Sequence, residues 1–239
     1  MIPWVELDEA EIPGEAGTLR LKQRGGEFSI MLGANELMNS RLSGSEEALA
    51  ELAAERIAGR DRPSVLIGGL GMGFTLRAAL AVLPRDARIV VAELVPAVIA
   101  WARGPMAEVF EGSLDDPRVE IHEGDVTALI AASQNGFDAI LLDVDNGPDG
   151  LTRGDNDRLY SLSGLAASKR ALRKGGVLAI WSAHPDDRFT ARLKKSGFET
   201  EAKTVRAHRK KRGLKHVVWL GISRRAKNVF ADTASRSSG

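Results

Sequence analysis

From Ser64 onward the chain alternates short apolar runs with amphipathic stretches, and that alternation limits its fold more than any other feature. Val65–Ile67, Arg88–Ala92, Val119–Ile121, Ala139–Leu142 and Val177–Trp181 read as strands, with helical spacing over 74–83, 96–103, 126–133, 157–173 and 186–196. Runs this continuous suit strands covered on both faces, and β-α alternation then predicts a parallel sheet wrapped by helices. Two further strand patterns, Phe198–Arg206 and His216–Ser223, are separated only by a basic loop. A parallel crossover needs a dozen or more residues, so these two form an antiparallel pair at one edge. The expected fold is therefore α/β: a doubly wound, mostly parallel seven-stranded sheet with an antiparallel edge hairpin.

Ahead of Pro63, Thr18–Gln23 and Glu27–Leu32 alternate apolar and polar residues around Arg24-Gly25-Gly26, which predicts a small β-hairpin. Ser45 precedes Glu46, Glu47 and apolar residues at Leu49, Leu52, Ala53 and Ile57, the pattern of an N-cap, an acidic first turn and a helix. The expected division is a hairpin and lead-in helix over 1–60, a doubly wound domain over 61–227 and a flexible tail over 228–239. The 239 residues are 44% hydrophobic, enough for a sizeable core, and 33 Lys and Arg against 32 Asp and Glu create no global field for nucleic acid or membrane. Cysteine is absent, which excludes disulfides, thiolate metal sites and a cysteine nucleophile. The acidic, proline-broken start lacks the basic and apolar regions of a signal peptide, and runs such as Asp138–Leu142 are too short to span a bilayer. A cytoplasmic protein is expected. His122, His184, His208 and His216 are scattered, so no metal is expected, and Ser45 and Ser182 lack a nucleophile-elbow context.

In an open α/β sheet, ligands bind beyond the carboxyl ends of the strands. The first strand is followed by Gly68-Gly69-Leu70-Gly71-Met72-Gly73, a turn that lets backbone approach a ligand but lacks the Gly-Lys-Ser/Thr of a phosphate loop. Glu93 ends the second strand about twenty residues beyond, the spacing of an acid that holds a ribose, with Leu94 or Val95 placed to line an adenine. The alternative for Glu93 is a solvated strand end. Asp125, after the third strand, reads equally as an adenine acceptor and as a helix N-cap. The fourth strand delivers Asp143, Asp145 and Asn146 before Gly147-Pro148, side chains unsuited to a core and suited to gripping an amine or a sulfonium-bearing ligand. Turn propensity accounts for Asn146-Gly147-Pro148, but not for an acid directly after Ile140-Leu141-Leu142.

Val65–Gly69, Val91–Ile99, Asp115–Glu120, Gly124-Asp125 and Leu142-Asp143 with Gly147-Pro148 together resemble the spermidine synthases, a family on the fold of the AdoMet-dependent methyltransferases. The resemblance runs from about Thr18 to Ser223, and Asp115-Asp116-Pro117-Arg118-Val119 is its most specific part. It implies decarboxylated AdoMet as donor and a diamine such as putrescine as acceptor. Glu93 would hold the ribose, Asp125 the adenine and Asp143 the attacking amine, with Asn146, Tyr160 and Glu46 near the acceptor. It also implies a homodimer as the expected assembly. The chain departs from the family at the glycine loop, where Leu70 and Met72 leave no acid for the donor's amino group. It departs again at the family's Tyr-His-Glu element, here Gly44-Ser45-Glu46, at Asn146 in place of the second acid, and at Leu37 in place of a glutamine.

Sulfonium alkyl transfer needs a neutral nucleophile held in line with the carbon–sulfur bond, and Asp143, aided by Asp145, would bind an ammonium and take its proton. With no loop acid to repel a donor carboxylate, intact S-adenosyl-L-methionine fits, and methyl transfer to a small amine is the main expectation. Aminopropyl transfer from decarboxylated AdoMet is the alternative. Arg192–Lys227 carries thirteen Lys and Arg against two acids. The loop 206–212 could therefore meet RNA phosphates, although no aromatic residues interleave to stack bases and a solvated hairpin loop is preferred. A non-catalytic donor-binding module is the remaining alternative. Trp181 and His184 either line the acceptor pocket or pack and cap.

Overall fold

The computed structural model describes residues 2–14, 16–144, 158–208 and 214–223. The amino-terminal part is a four-stranded antiparallel sheet, β1 (Val5–Glu11), β2 (Thr18–Arg24), β3 (Glu27–Leu32) and β4 (Asn35–Asn39), in that spatial order. The expected hairpin is its central pair. Leu21 pairs with Ile30, and their side chains, with Leu19 and Phe28, are buried. The flanking strands are additions to the sequence expectation: β1 is exposed along nearly its whole length, so it carries no inward apolar period to reveal it.

Helix α1 (Gly44–Arg56) follows, with Leu49, Ala50 and Ala53 buried. Its N-cap is Ser43, which makes no side-chain cap, rather than the expected Ser45; Ser45 lies inside the first turn and is fully buried. The helix start is tied to the far edge of the molecule by the Gly44 amide, which donates to the Ala207 carbonyl at 3.0 Å.

The second sheet has seven strands: β5 (Ser64–Gly68), β6 (Arg88–Glu93), β7 (Val119–Glu123), β8 (Phe137–Leu142), β9 (Leu172–Ser182), β10 (Glu199–Arg206) and β11 (Lys215–Ile222). Their order is β10-β11-β9-β8-β5-β6-β7, with β5 to β9 parallel and β11 antiparallel to both of its neighbours. The other helices are α2 (Phe74–Val82), α3 (Pro96–Arg103), α4 (Ala107–Phe110), α5 (Val126–Ala132), α6 (Leu162–Ala171) and α7 (Asp187–Lys195). Successive residues of the central strands enter different cores. Val65, Ile67, Ile89, Val91, Ala139 and Leu141 face one core, while Leu66, Val90, Ala92, Ile140 and Leu142 face the other. This is the two-faced burial that the continuous apolar runs predict. The amino-terminal sheet and α1 contribute to the first core, so one continuous apolar interior joins both sheets. Strand β9 starts at Leu172, five residues before the expected Val177, because Leu172 pairs with Phe137 ahead of a register shift that passes through Gly175 and Gly176. Residues 209–213 of the basic loop and the tail from 224 lie outside the described residues.

At the amino ends of the strands, opposite the glycine turn, one buried carboxylate ties several elements together. Asp138 accepts from Arg60 Nη1 at 2.6 Å, Arg173 Nη1 at 2.7 Å and the Ser64 amide at 2.8 Å. Removing it leaves two guanidinium groups and a buried N–H without their acceptor. Asp138→Ala is therefore expected to lower stability by about 3 kcal/mol, with Asp138→Asn intermediate. Urea unfolding of the three proteins checks this.

Candidate functional site

The strand order reverses at β5, which lies between β6 and β8, and there the chain leaves a cleft. The Asp143 amide donates to the Gly68 carbonyl at 2.9 Å, so the segment after β8 runs hard against the turn after β5. Gly69 makes this contact feasible. Its φ is +89°, and a Cβ there would sit 2.5 Å from the Asp143 carbonyl oxygen, so no other residue fits without moving the acid. Gly73, φ +76°, stands at the start of α2, where a Cβ would collide with the Phe110 ring.

The cleft has two lobes. The larger is lined by Gly69, Gly71, Glu93, Leu94, Val95, Asp125 and Asp143, and the smaller by Glu46, Leu70, Met72, Gly73, Asp143 and Trp181. Leu37 and Met38 of β4 border both, as do Gly71 and Asp143. Asp143 therefore sits at the junction.

Each described residue expected at the site has a definite place. Glu93 is buried at the end of β6; Oε2 accepts from the Leu70 amide at 2.9 Å and Oε1 from the Val95 amide at 2.8 Å. It thus shapes the glycine turn while lining the larger lobe. Asp125 caps α5, accepting from the Thr127 amide at 2.7 Å, and also lines that lobe. Gly68 lines neither lobe; it lets β5 pack against Val126 and Leu142. Tyr160 departs from its expectation: it is buried in the second core, edge-on to Phe189 at 5.7 Å, and is not among the lining residues. Trp181 lines the smaller lobe, whereas His184 does not. Asp145 and Asn146 lie outside the described residues.

The smaller lobe holds two carboxylates in poor solvent. Burial, together with the negative charge of Glu46, pushes Asp143 up to about 7 against the pull of the Thr75 hydroxyl, which donates to Oδ2 at 2.6 Å. Burial also raises Glu46, offset in part by a hydrogen bond from the Ser45 hydroxyl at 2.6 Å. The sequence reading missed Thr75, which sits two residues past the glycine turn and carries no motif. It also missed the link from Ser45 to His216, whose Nδ1 lies 2.9 Å from Ser45 Oγ. The Asp115–Val119 stretch, for its part, is a structural staple outside the cleft. Arg118 grips Asp116 through two 2.9 Å contacts, holding that carboxyl down to about 2, and reaches the Leu83 carbonyl at the end of α2. Among the described residues no group of His, Asp and Glu could hold a metal ion, and no helix is long and apolar enough to cross a membrane.

Fold and cleft define a doubly wound α/β domain with an acid-lined site at its switch point. Residues 44–191 match the family model of the spermine/spermidine synthase domain, and the chain belongs to that family. It is 38% identical over 131 residues to the polyamine aminopropyltransferase of Mycobacterium tuberculosis (strain ATCC 25618 / H37Rv), a match covering 54% of this chain and 24% of that protein. It is 36% identical over 127 residues to that of Nitrosomonas europaea, covering 53% and 37%. The matches thus span about a quarter to two fifths of these relatives' length. The crystal structure of spermidine synthase from Thermotoga maritima superposes with a TM-score of 0.72 at 19% identity, covering 91% of this chain and 72% of that one. A spermidine synthase in complex with the transition state analogue AdoDATO gives 0.71, also at 19%. These two sequence relatives are named as aminopropyltransferases, the activity given above as the alternative rather than the methyl transfer that was the main expectation.

Asp143 yields a stability test. Its folded value near 7 lies above the ordinary carboxylate range near 4, so the folded state binds the extra proton between those values. The contribution is present below about pH 4 and is lost as pH rises through 7. Asp143→Asn is expected to be more stable than the native protein at pH 8, on the order of a few kcal/mol, with the gap closing toward pH 5. Thermal unfolding across that range measures it.

Proposed function

We propose that this domain transfers an aminopropyl group from decarboxylated AdoMet to an amine of a diamine or polyamine. The observation that carries the reading is the position of Asp143, half-buried at the junction of the two lobes, with Glu46 in the same lobe. Ligands bearing a sulfonium and ammonium groups would neutralise two carboxylates that otherwise raise each other's proton affinity. In the larger lobe Glu93 would accept from the sugar hydroxyls, Leu94 and Val95 would pack the base, and Asp125 would accept from its amino group. Gly69 and Gly71 would let the sulfonium approach the backbone. Asp143 would hold the acceptor ammonium, take its proton and offset the charge that then develops on nitrogen, with Asp145 and Asn146 nearby in sequence as further contacts.

Methyl transfer from intact AdoMet was expected because the glycine loop carries no acid. The lobe beside Leu70 and Met72 nevertheless holds Glu46 and Asp143, so the acidic field is supplied by α1 and β8 instead. A donor that kept its carboxylate would meet two like charges there. RNA modification draws no support from the cleft, whose lining includes no Lys or Arg among the described residues. The acceptor is a small amine in this proposal, and a cytoplasmic location and a homodimer belong to it as well.

Calorimetry with the full chain is expected to show decarboxylated AdoMet binding at least tenfold tighter than AdoMet, and product analysis to show an aminopropylated diamine. Asp143→Asn should lower kcat/KM by about 10²–10⁴. Native kcat/KM should rise as pH passes through about 7, where the acid ionises. Equal or tighter binding of AdoMet, with methylated product, would reverse the assignment.

A further inference from the structure

The Ser45, Glu46 and His216 side chains form a connected chain that the transfer chemistry leaves unassigned. The Ser45 hydroxyl donates to Glu46 Oε2 at 2.6 Å, and Ser45 Oγ lies 2.9 Å from Nδ1 of His216 on β11. Ser45 is fully buried, so its one proton is divided between these two partners alone among those seen. Glu46 opens on the smaller lobe at one end. His216, at the other, is half-buried and keeps some contact with solvent. The Trp181 ring stands edge-on to the imidazole at 4.9 Å and 77°, which fixes the ring plane, and Trp181 itself lines the lobe. The charged or titratable groups set around this chain are Glu46 and Glu47 on α1, Asp143 after β8 and His184 after β9; on β10 the facing residue is Val205.

A serine has one proton to donate, so the three residues have two self-consistent arrangements. With Glu46 ionised, Ser45 donates to the carboxylate and Nδ1–H of His216 donates to Ser45. With Glu46 protonated, the carboxyl donates to Ser45, Ser45 donates to Nδ1, and the ring proton sits on Nε2. The two differ by one proton. Passing from the second to the first breaks the carboxyl O–H and forms Nδ1–H by way of the Ser45 oxygen, while Nε2 gives its proton to water.

We propose that His216, acting through Ser45, is the route by which Glu46 exchanges its proton with water while ligands fill the cleft. This rests on the reading under Proposed function, where such a route is needed. An ammonium must lose one proton before its lone pair can form the new C–N bond, and the C–S electron pair leaves on sulfur as a neutral thioether. Each turnover therefore releases one proton from a site that its two substrates close. Glu46, discharged through His216, is then a carboxylate able to take that proton directly or from Asp143, and the ring returns to its Nε2 tautomer between turnovers. Burial, with the nearby His184, holds the imidazole below its ordinary range, so it is neutral near pH 7, as a relay between two tautomers requires. His216 is accordingly a positioning and relay residue, not one that touches the substrate.

Two measurements on the full chain test this. Ring-nitrogen NMR is expected to show neutral His216 carrying its proton on Nδ1 once Glu46 is ionised, and Ser45→Ala is expected to return it to the ordinary Nε2 form. In steady state at low buffer concentration, His216→Ala is expected to lose about tenfold in kcat, with KM for the diamine within about twofold and kcat recovering as imidazole is added. His216→Gln, which keeps a hydrogen bond to Ser45 but cannot pass a proton, should show the same kcat loss while folding normally. Unchanged kcat in both variants, a loss that imidazole does not restore, or the same ring tautomer in Ser45→Ala would each overturn the proposal. A native protein that transfers nothing to a diamine would overturn the functional reading instead, and the NMR comparison would still decide the relay.

Discussion

The close approach of the chain after β8 to the turn after β5 is the constraint on which the site depends. Gly69 takes a left-handed conformation and lacks the Cβ that would strike the Asp143 carbonyl, so the two parallel strands can end side by side at the reversal of strand order. Glu93 stabilises the same turn from the other side by accepting the Leu70 and Val95 amides. The turn is thereby held between β6 and β8 through its own backbone groups, with the Glu93 carboxylate as one of their partners. Its side chains, Leu70 and Met72, are left to form apolar wall. The placement of Asp143 follows from this packing, and Thr75 in the first turn of α2 only orients it.

Two half-buried carboxylates facing one lobe are unfavourable for the folded chain in the absence of cations, since each disfavours the ionised form of the other. Among the described residues that cost is limited by hydrogen bonds from hydroxyls and by proton uptake, rather than by a salt bridge. A neighbouring lysine or arginine would have stabilised the pair more, but it would also have occupied the place of a cationic ligand. Asp138 shows the contrast within the same sheet. There the carboxylate is paired with two arginines, at the amino ends of the strands. The two acids thus differ in their described partners: arginines at Asp138, a hydroxyl at Asp143.

Much of this was legible in the sequence, and for a physical reason. Strands β5, β6, β8 and β9 are covered on both faces, so burial leaves apolar runs whatever the tertiary detail, and Glu93 and Asp143 are readable because each directly follows such a run. Asp125, by contrast, follows the half-exposed edge strand β7 and was read from its place after Gly124. Strand β1 was invisible because an exposed edge strand has no inward period, and β4 because its pocket-facing residues, Leu37 and Met38, are too few to set one. Ser45 was read as a cap from its place before two glutamates; what moves the cap to Ser43 is the Gly44 bond to Ala207, a contact across more than 160 residues. Tyr160 was placed near the acceptor by resemblance, but an aromatic ring flanked by Leu159 and Leu165 is drawn into the second core with Phe189. His216 had no local signal at all, because its partner is 171 residues earlier in the chain.

That last contact changes the standing of the edge hairpin. Taken alone, β10 and β11 extend the sheet beyond β9 and end in a basic loop, which suggested a surface for nucleic acid. In the folded chain the end of β10 anchors the start of α1 through Ala207, and β11 sets His216 against Ser45 and Trp181. Helix α1 is the element that presents Glu46, so the position of one of the two acids is determined from the opposite edge of the sheet. Meanwhile β4 closes the cleft from above with Leu37 and Met38. The residues that distinguish this site from a plain nucleoside cleft therefore come from the two parts of the chain outside the parallel core. Selectivity for the acceptor can change by small shifts of α1 or β4, while the switch point that would hold the donor stays where the parallel strands put it.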